Sequence, residues 1–235
     1  MCRRFRAGTR EDRMSEIWDP FGTLHRALWI GGAQWAGKST VARILAHRHG
    51  LTAYHYDYHD ARGHQDRRIA RRVALGQPTE DPDPETVWVH TTAEDMAAET
   101  LAGFPVRFTW ALDDLRALSS GRPILAEGWG LRPELVAPLL DTPRRMVVMV
   151  PTEEFRSHQL ATLPRAGAMG GRFSDPDRAQ ANRIGRDRLV GEDAAHRAAV
   201  LGIRVLRVDG SRDAESIADD VADHFAPFLA PAASA

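Results

Sequence analysis

The run from Gly32 to Thr40, GAQWAGKST, constrains this chain more than any other stretch. It has the spacing G-x-x-x-x-G-K-S, and LWIGG leads directly into it. Glycines so placed let the backbone curl until successive N–H groups point inward, toward one small anion. The flanks agree. Leu28 to Gly31 is a short apolar run that predicts a buried strand. Lys38 to His49 carries Val41, Ile44 and Leu45 at helical spacing, and Gly50 stops it. The unit is therefore strand, glycine-rich loop, helix, a shape that cradles phosphate. Lys38 reaches the β- and γ-phosphates, and Ser39 offers a hydroxyl to Mg²⁺. Gly32, Ala33, Gln34, Trp35, Ala36, Gly37, Lys38, Ser39 and Thr40 are the candidate nucleotide-binding residues. Trp35 is too bulky to turn inward. It is expected on the outer face of the loop, as a lid contact.

The rest of the chain alternates strand and helix signals. Leu51 to Asp57 predicts a second strand ending in a carboxylate. Gln65 to Leu75 predicts a helix dense in arginine, and the Pro- and acid-rich Gln77 to Glu85 a loop. Glu94–Leu101 and Phe108–Leu118 predict two helices of an insertion. Arg122 to Gly130 predicts a strand ending at Glu127, and Pro133 to Leu140 a short helix. Arg144 to Pro151 is a continuous apolar run, the mark of a strand covered on both faces. Thr152 is placed to cap the helix after it, with Glu153 and Glu154 in its first turn. Leu163 to Asp177 predicts a mobile loop and Pro176 to Leu201 a long arginine-bearing helix. A last strand follows at Gly202–Gly210. Ile217, Val221 and Phe225 then mark a closing amphipathic helix. Such alternation predicts an α/β fold in three layers, with a five-stranded parallel sheet and helices on both faces. By domains, residues 1–26 are a lead-in with a bias to disorder, 27–226 the nucleotide-binding domain and 227–235 a tail. Within the domain, 59–118 forms a helical cap and 163–200 a lid.

Composition removes several classes of function. The formal net charge of −1 gives no bulk attraction for nucleic acid. The single cysteine, Cys2, excludes an internal disulfide and a cysteine-based zinc site. No apolar run approaches the roughly 18 residues of a membrane span. The N-terminus MCRRFRAGTREDR is basic but lacks the apolar stretch of a secretory signal, which places the chain in the cytoplasm.

The guanine-specificity pattern N-K-x-D is absent, as is a hydrophobic strand ending in Asp-Glu. These absences weigh against a switch GTPase and a motor ATPase. The segments GAQWAGKST, YHYD, ILAEGWGLRPELV, MVVMVPTEEF, ANRIGRDRLV and LRVDGS come in an order that resembles the P-loop small-molecule kinases. That group includes nucleoside monophosphate kinases, shikimate and gluconate kinases, and chloramphenicol phosphotransferase. The resemblance spans about residues 27 to 226, and only the phosphate loop is highly specific within it. It implies ATP and Mg²⁺ as cofactors and a hydroxyl-bearing small molecule as acceptor.

The resemblance also implies roles for single residues. Asp57 faces the acceptor hydroxyl and takes its proton, with Asp60 as a rival. Glu127 joins Ser39 at Mg²⁺, directly or through water. Arg186 first and Arg183 second clamp the transferring phosphates from the lid, on a face that also bears Arg178 and Asn182. Asp209 to Asp213 stands where the group contacts adenine. Other features remain open. Arg62, Arg67, Arg68, Arg71 and Arg72 fit either a phosphate-bearing acceptor or an exposed helix face, and the second reading is favoured. His55, His59 and His64 suggest a metal only weakly. Trp88, Phe104, Phe108 and Trp110 wall an acceptor, form a core, or do both. High Arg and Ala with little Lys is the usage of GC-rich bacterial genomes, which brings in a natural product or antibiotic as acceptor. The alternatives are a nucleoside or nucleotide kinase and a regulatory ATPase with no small acceptor. A homodimer is an open option; nucleic acid and membrane are not expected as partners.

Overall fold

The computed structural model describes residues 17–163 and 172–229. Five parallel strands form one sheet in the order β2-β3-β1-β4-β5: β1 (Leu28–Gly32), β2 (Thr52–His55), β3 (Ile124–Glu127), β4 (Met146–Pro151) and β5 (Arg204–Val208). The glycine-rich loop thus leaves the middle of the sheet. Ile30 stands level with Glu127 on one side and Val147 on the other. The longer helices are α1 (Lys38–His49), α2 (Gln65–Ala74), α3 (Ala93–Ala117), α4 (Glu153–Thr162), α5 (Pro176–Val200) and α6 (Ala214–Phe225).

Strand alternation builds the layers, because successive side chains point to opposite faces. Leu28, Ile30, Leu125, Val147 and Met149 meet Val41 and Leu45 of α1 and Val221 and Phe225 of α6. Trp29, Ala126, Met146 and Val148 meet Phe108 and Leu115 of α3 and Ala194 and Ala198 of α5. This is the three-layer α/β fold expected from the sequence. Most element boundaries also agree. α1 ends at a left-handed Gly50, and Thr152 caps α4 by accepting the Phe155 N–H at 3.3 Å.

Three expectations need correction. The second strand stops at His55, and Tyr56–Tyr58 is already a helical turn, so Asp57 sits just past the strand. The two helices expected in the insertion are one helix, α3, with Pro105 inside it. Proline removes the N–H that would reach the Leu101 carbonyl, and the Arg107 guanidinium donates to two neighbouring carbonyls, those of Thr100 (2.8 Å) and Gly103 (3.2 Å). Two π-helical segments, His59–Gly63 and Thr86–His90, lie in the cap region where no element of their own was expected. Most of the loop expected over Leu163–Asp177 falls outside the described residues. No helix among the described residues is long and apolar enough to cross a membrane.

Candidate active site

The loop after β1 is shaped by close backbone approach. Gly32 has φ 118°, and a Cβ there would overlap the Met149 carbonyl, so only glycine fits. The next residue, Ala33, donates its N–H to that same carbonyl at 2.9 Å. Gly37, at φ 77°, begins α1 with no side-chain cap and no acid in the first turn. The opening N–H groups of a helix have no partner inside it, so this end suits an anion. Lys38 is buried, and its Nζ donates to the Ala33 carbonyl at 2.7 Å. The ammonium therefore folds back over the loop that would receive phosphate. Ser39 and Thr40 are exposed at the start of α1. Gln34 is half-buried and Ala36 is buried in the core beneath the loop.

Trp35 adopts φ 68°, the only left-handed non-glycine among the described residues. Such a conformation costs of order 1–3 kcal/mol and persists where surroundings enforce it. What enforces it lies on α5. The Trp35 indole N–H donates to Asp187 Oδ2 at 3.2 Å, and the Arg183 guanidinium lies 5.3 Å from the Trp35 ring. The expected lid-facing contact is thus present, although the side chain is buried. Helix α5 can come this near because Gly191 faces Ala33, where a Cβ would stand 2.6 Å from the alanine methyl.

The second half of the site comes from the ends of β2 and β3. His55 and Glu127 are level across the two strands, and Glu127 Oε1 pairs with His55 Nδ1. That bond, more than any other influence, raises the His55 pKa. Glu127 is buried, and its other oxygen, Oε2, has no partner. One turn on, Asp57 accepts the Trp129 N–H at 2.9 Å. The residue keeps some exposure, yet its carboxyl is packed in protein. Burial pushes its pKa up; the Lys38 charge opposes this and the Glu127 charge adds to it. Lys38, Asp57, Glu127 and His55 therefore share one electrostatic neighbourhood. Asp60 differs, since each of its oxygens is held by a guanidinium, Arg68 at 3.2 Å and Arg107 at 2.9 Å.

Arg186 is not on a solvated face. Its Nε and a terminal nitrogen donate to Asp187 Oδ1 at 3.0 and 2.6 Å. Its guanidinium lies 5.0 Å from the Trp88 ring and 5.3 Å from the Trp129 ring. Asn182, one turn earlier, donates to the carbonyls of Trp88 (3.0 Å) and Thr91 (2.9 Å), fastening α5 to the Thr86–His90 segment.

Several features resolve differently from expectation. Arg67, Arg68 and Arg72 are engaged by Asp114, Asp60 and Asp81, all from this chain. His59, His64 and Asp114 bring ligand-type atoms within 4.8 Å of one another, without His55. Asp114 already receives the Tyr54 hydroxyl (2.9 Å), His64 Nε2 (2.7 Å) and Arg67 (3.3 Å), which is a hydrogen-bonded network that fixes the π-helical turn to α3. Asp209 accepts from Ser211, and Asp213 caps α6. A groove of about 760 Å³ beside the loop is instead walled by Ala33, Thr152, Arg156, Gly191, His196 and Arg207. Those residues are scattered over four elements, and Arg156, Gly191, His196 and Arg207 gave no site signal in the sequence. Nor did Asp187 and Arg132. Arg132 is buried and donates to the Val190 carbonyl at 2.9 Å, to Glu134 at 3.2 Å and to Asp193.

The oxygen donors present suit Mg²⁺, a hard cation that takes oxygen ligands and keeps several waters. Glu127 contributes a buried carboxylate oxygen without a partner, and Ser39 an exposed hydroxyl at the first turn of α1.

No family model matches the chain, and no curated protein matches it. Among solved structures, the chain is similar to a gluconokinase from Sinorhizobium meliloti 1021. The identity is 16% and the TM-score 0.38, over 86% of this chain and 93% of that one. A likeness at that score carries no argument. The fold assignment rests on the parallel sheet and its strand order.

Proposed function

We propose that this chain is an ATP-dependent phosphotransferase that moves the γ-phosphoryl group to a hydroxyl of a small organic molecule. One observation carries the reading. Asp57, a carboxylate whose proton affinity is raised, sits in the field of Lys38 at the end of a phosphate-shaped loop. Such a carboxylate can orient and deprotonate an attacking hydroxyl, that of an acceptor in a transferase or of water in a hydrolase, and the acceptor screen below separates the two.

The loop amides and the start of α1 receive the β- and γ-phosphates, and Lys38 leaves the Ala33 carbonyl to meet them. Mg²⁺, when bound, would neutralise developing charge on the phosphate oxygens, and Ser39 and Glu127 are the residues to hold it. Asp57 accepts the hydroxyl proton as the oxygen attacks. Arg186 and Arg183 approach the phosphates from α5 and offset the charge of the transition state. The bond to Glu127 raises the His55 pKa, so the imidazole gains its proton more readily beside that carboxylate.

The acceptor is an organic hydroxyl compound, with a natural product or antibiotic as the first choice for screening. The engagement of Arg67, Arg68 and Arg72 by this chain's own acids speaks against a phosphate-bearing acceptor. We place the enzyme in the cytoplasm, where ATP is abundant. The test is incubation with Mg-ATP and a pooled panel of metabolites and antibiotics, followed by mass spectrometry for an acceptor that has gained one phosphate. Slow ATP hydrolysis with no phosphorylated product, and a protein captured in its place, would overturn the proposal in favour of a regulatory ATPase.

A further inference from the structure

Asp187 is a buried carboxylate with two separate clients. Its Oδ2 receives the Trp35 indole N–H, from the phosphate loop. Its Oδ1 receives Arg186, whose guanidinium lies against Trp88 and Trp129. Trp88 belongs to the Thr86–His90 turn of the cap. Trp129 donates its backbone N–H to Asp57, and its ring meets Phe104 of α3 edge-on at 5.2 Å. An unbroken chain of contacts therefore runs from the loop through Asp187 to the cap and to the candidate base.

Two physical points give the chain consequence. A buried carboxylate needs its donors, so moving either client costs the other. Trp35 is also held in a left-handed conformation that no intrinsic preference favours. A loop kept in that shape from outside is free to settle differently once its amides take up phosphate. Either change alters the position of the indole N–H, and with it the partners of Asp187.

We propose that Asp187 is a positioning residue that couples occupation of the phosphate loop to the placement of Arg186 and of the two tryptophans beside it. The coupling rests on the reading of the loop as a nucleotide site. Nucleotide in the loop shifts the Trp35–Asp187 bond, Arg186 turns from Asp187 toward the phosphates, and Trp88 and Trp129 lose the cation between them. The cap thereby registers the donor before any acceptor arrives.

The experiment needs neither an acceptor nor turnover. The full chain is labelled with 5-fluorotryptophan, and its six tryptophan resonances are assigned by single Trp→Phe substitutions. Mg²⁺ with β,γ-imido-ATP is then titrated in while ¹⁹F spectra are recorded. The expected result is a shift at Trp35, Trp88 and Trp129, with Trp18 and Trp110 unmoved. In Asp187→Asn the Trp35 shift persists while the responses at Trp88 and Trp129 are lost. Trp35→Phe keeps an aromatic side chain but removes the indole N–H, so it too should lose both responses, and it serves if the Asp187 variant does not fold. A wild-type response confined to Trp35 would overturn the coupling and leave the kinase reading standing. So would a response at Trp88 and Trp129 that survives in both variants. A spectrum unchanged by nucleotide would overturn the loop reading and the coupling together.

Discussion

Replacing Asp57 with asparagine should make the protein less active and more stable. Asparagine keeps an oxygen for the Trp129 N–H and nearly the same volume, so the turn beside Gly128 is preserved. What goes is the proton acceptor. A positioned general base contributes roughly 10²- to 10⁴-fold, which is roughly 2.7–5.4 kcal/mol of barrier. Transfer should fall by that factor with nucleotide affinity nearly kept. Stability moves the other way. Burial holds the Asp57 pKa above its unfolded value, against the pull of Lys38 and of the Trp129 N–H. The native state therefore binds this proton more tightly than the unfolded state. The stabilisation from the neutral carboxyl is full below the unfolded pKa, and it is lost as pH rises through the folded one. Above the folded pKa wild type bears the cost of an ionised, packed carboxylate, and D57N does not. Lys38 and Trp129 offset part of that cost, so the gain should be about 0.5–1 kcal/mol. For a chain of this length that is roughly 1–4 °C in Tm. Urea denaturation of both proteins from pH 3 to pH 8 measures it. The difference should open as pH rises through the folded pKa and close in acid. A D57N protein less stable than wild type above the folded pKa would refute the electrostatic reasoning, and one that transfers phosphate near the wild-type rate would move the base elsewhere.

Lys38→Ala should abolish transfer and lower the urea midpoint while the fold is kept, because it removes the bond to the Ala33 carbonyl and the charge that opposes burial at Asp57; full retained activity would remove the loop from the mechanism. Arg186→Ala should lower turnover more than acceptor affinity in steady-state kinetics, and an effect confined to acceptor affinity would assign it to the acceptor pocket. Arg132→Ala should cost about 3 kcal/mol in urea denaturation, the low end for breaking a buried ion pair, since Glu134 and Asp193 keep access to water. A loss under about 1 kcal/mol would mean the Arg132 bonds add little beyond packing.

The phosphate loop and all five strands were legible because their signals are local. Glycine spacing, apolar runs and caps lie within a few residues of what they determine. Asp57 and Glu127 were legible as carboxylates at strand ends, although the turn that carries Asp57 was not. The insertion was misjudged at Pro105, since a proline carries the local signal of a helix break and here lies inside one helix. Asp187 carried no local signal beyond its neighbour Arg186. Its second partner, Trp35, lies 152 positions away, and no spacing rule reports a bond of that range. The groove beside Ala33 was hidden for the same reason, because a concavity belongs to the packing of α5 against the sheet.

The order of the strands sets which half of the site opens first. The phosphate loop grows from β1, which has a strand on each side, while Asp57 follows β2, which has only β3. Central strands exchange their amide hydrogens near the global unfolding free energy, and edges exchange through smaller openings. Thr52–His55 should therefore take up deuterium well before Leu28–Gly32. On the proposed function, the nucleotide end is built on the middle of the sheet, and the acceptor end hangs from its margin, where the polypeptide can give way without loosening the phosphate loop.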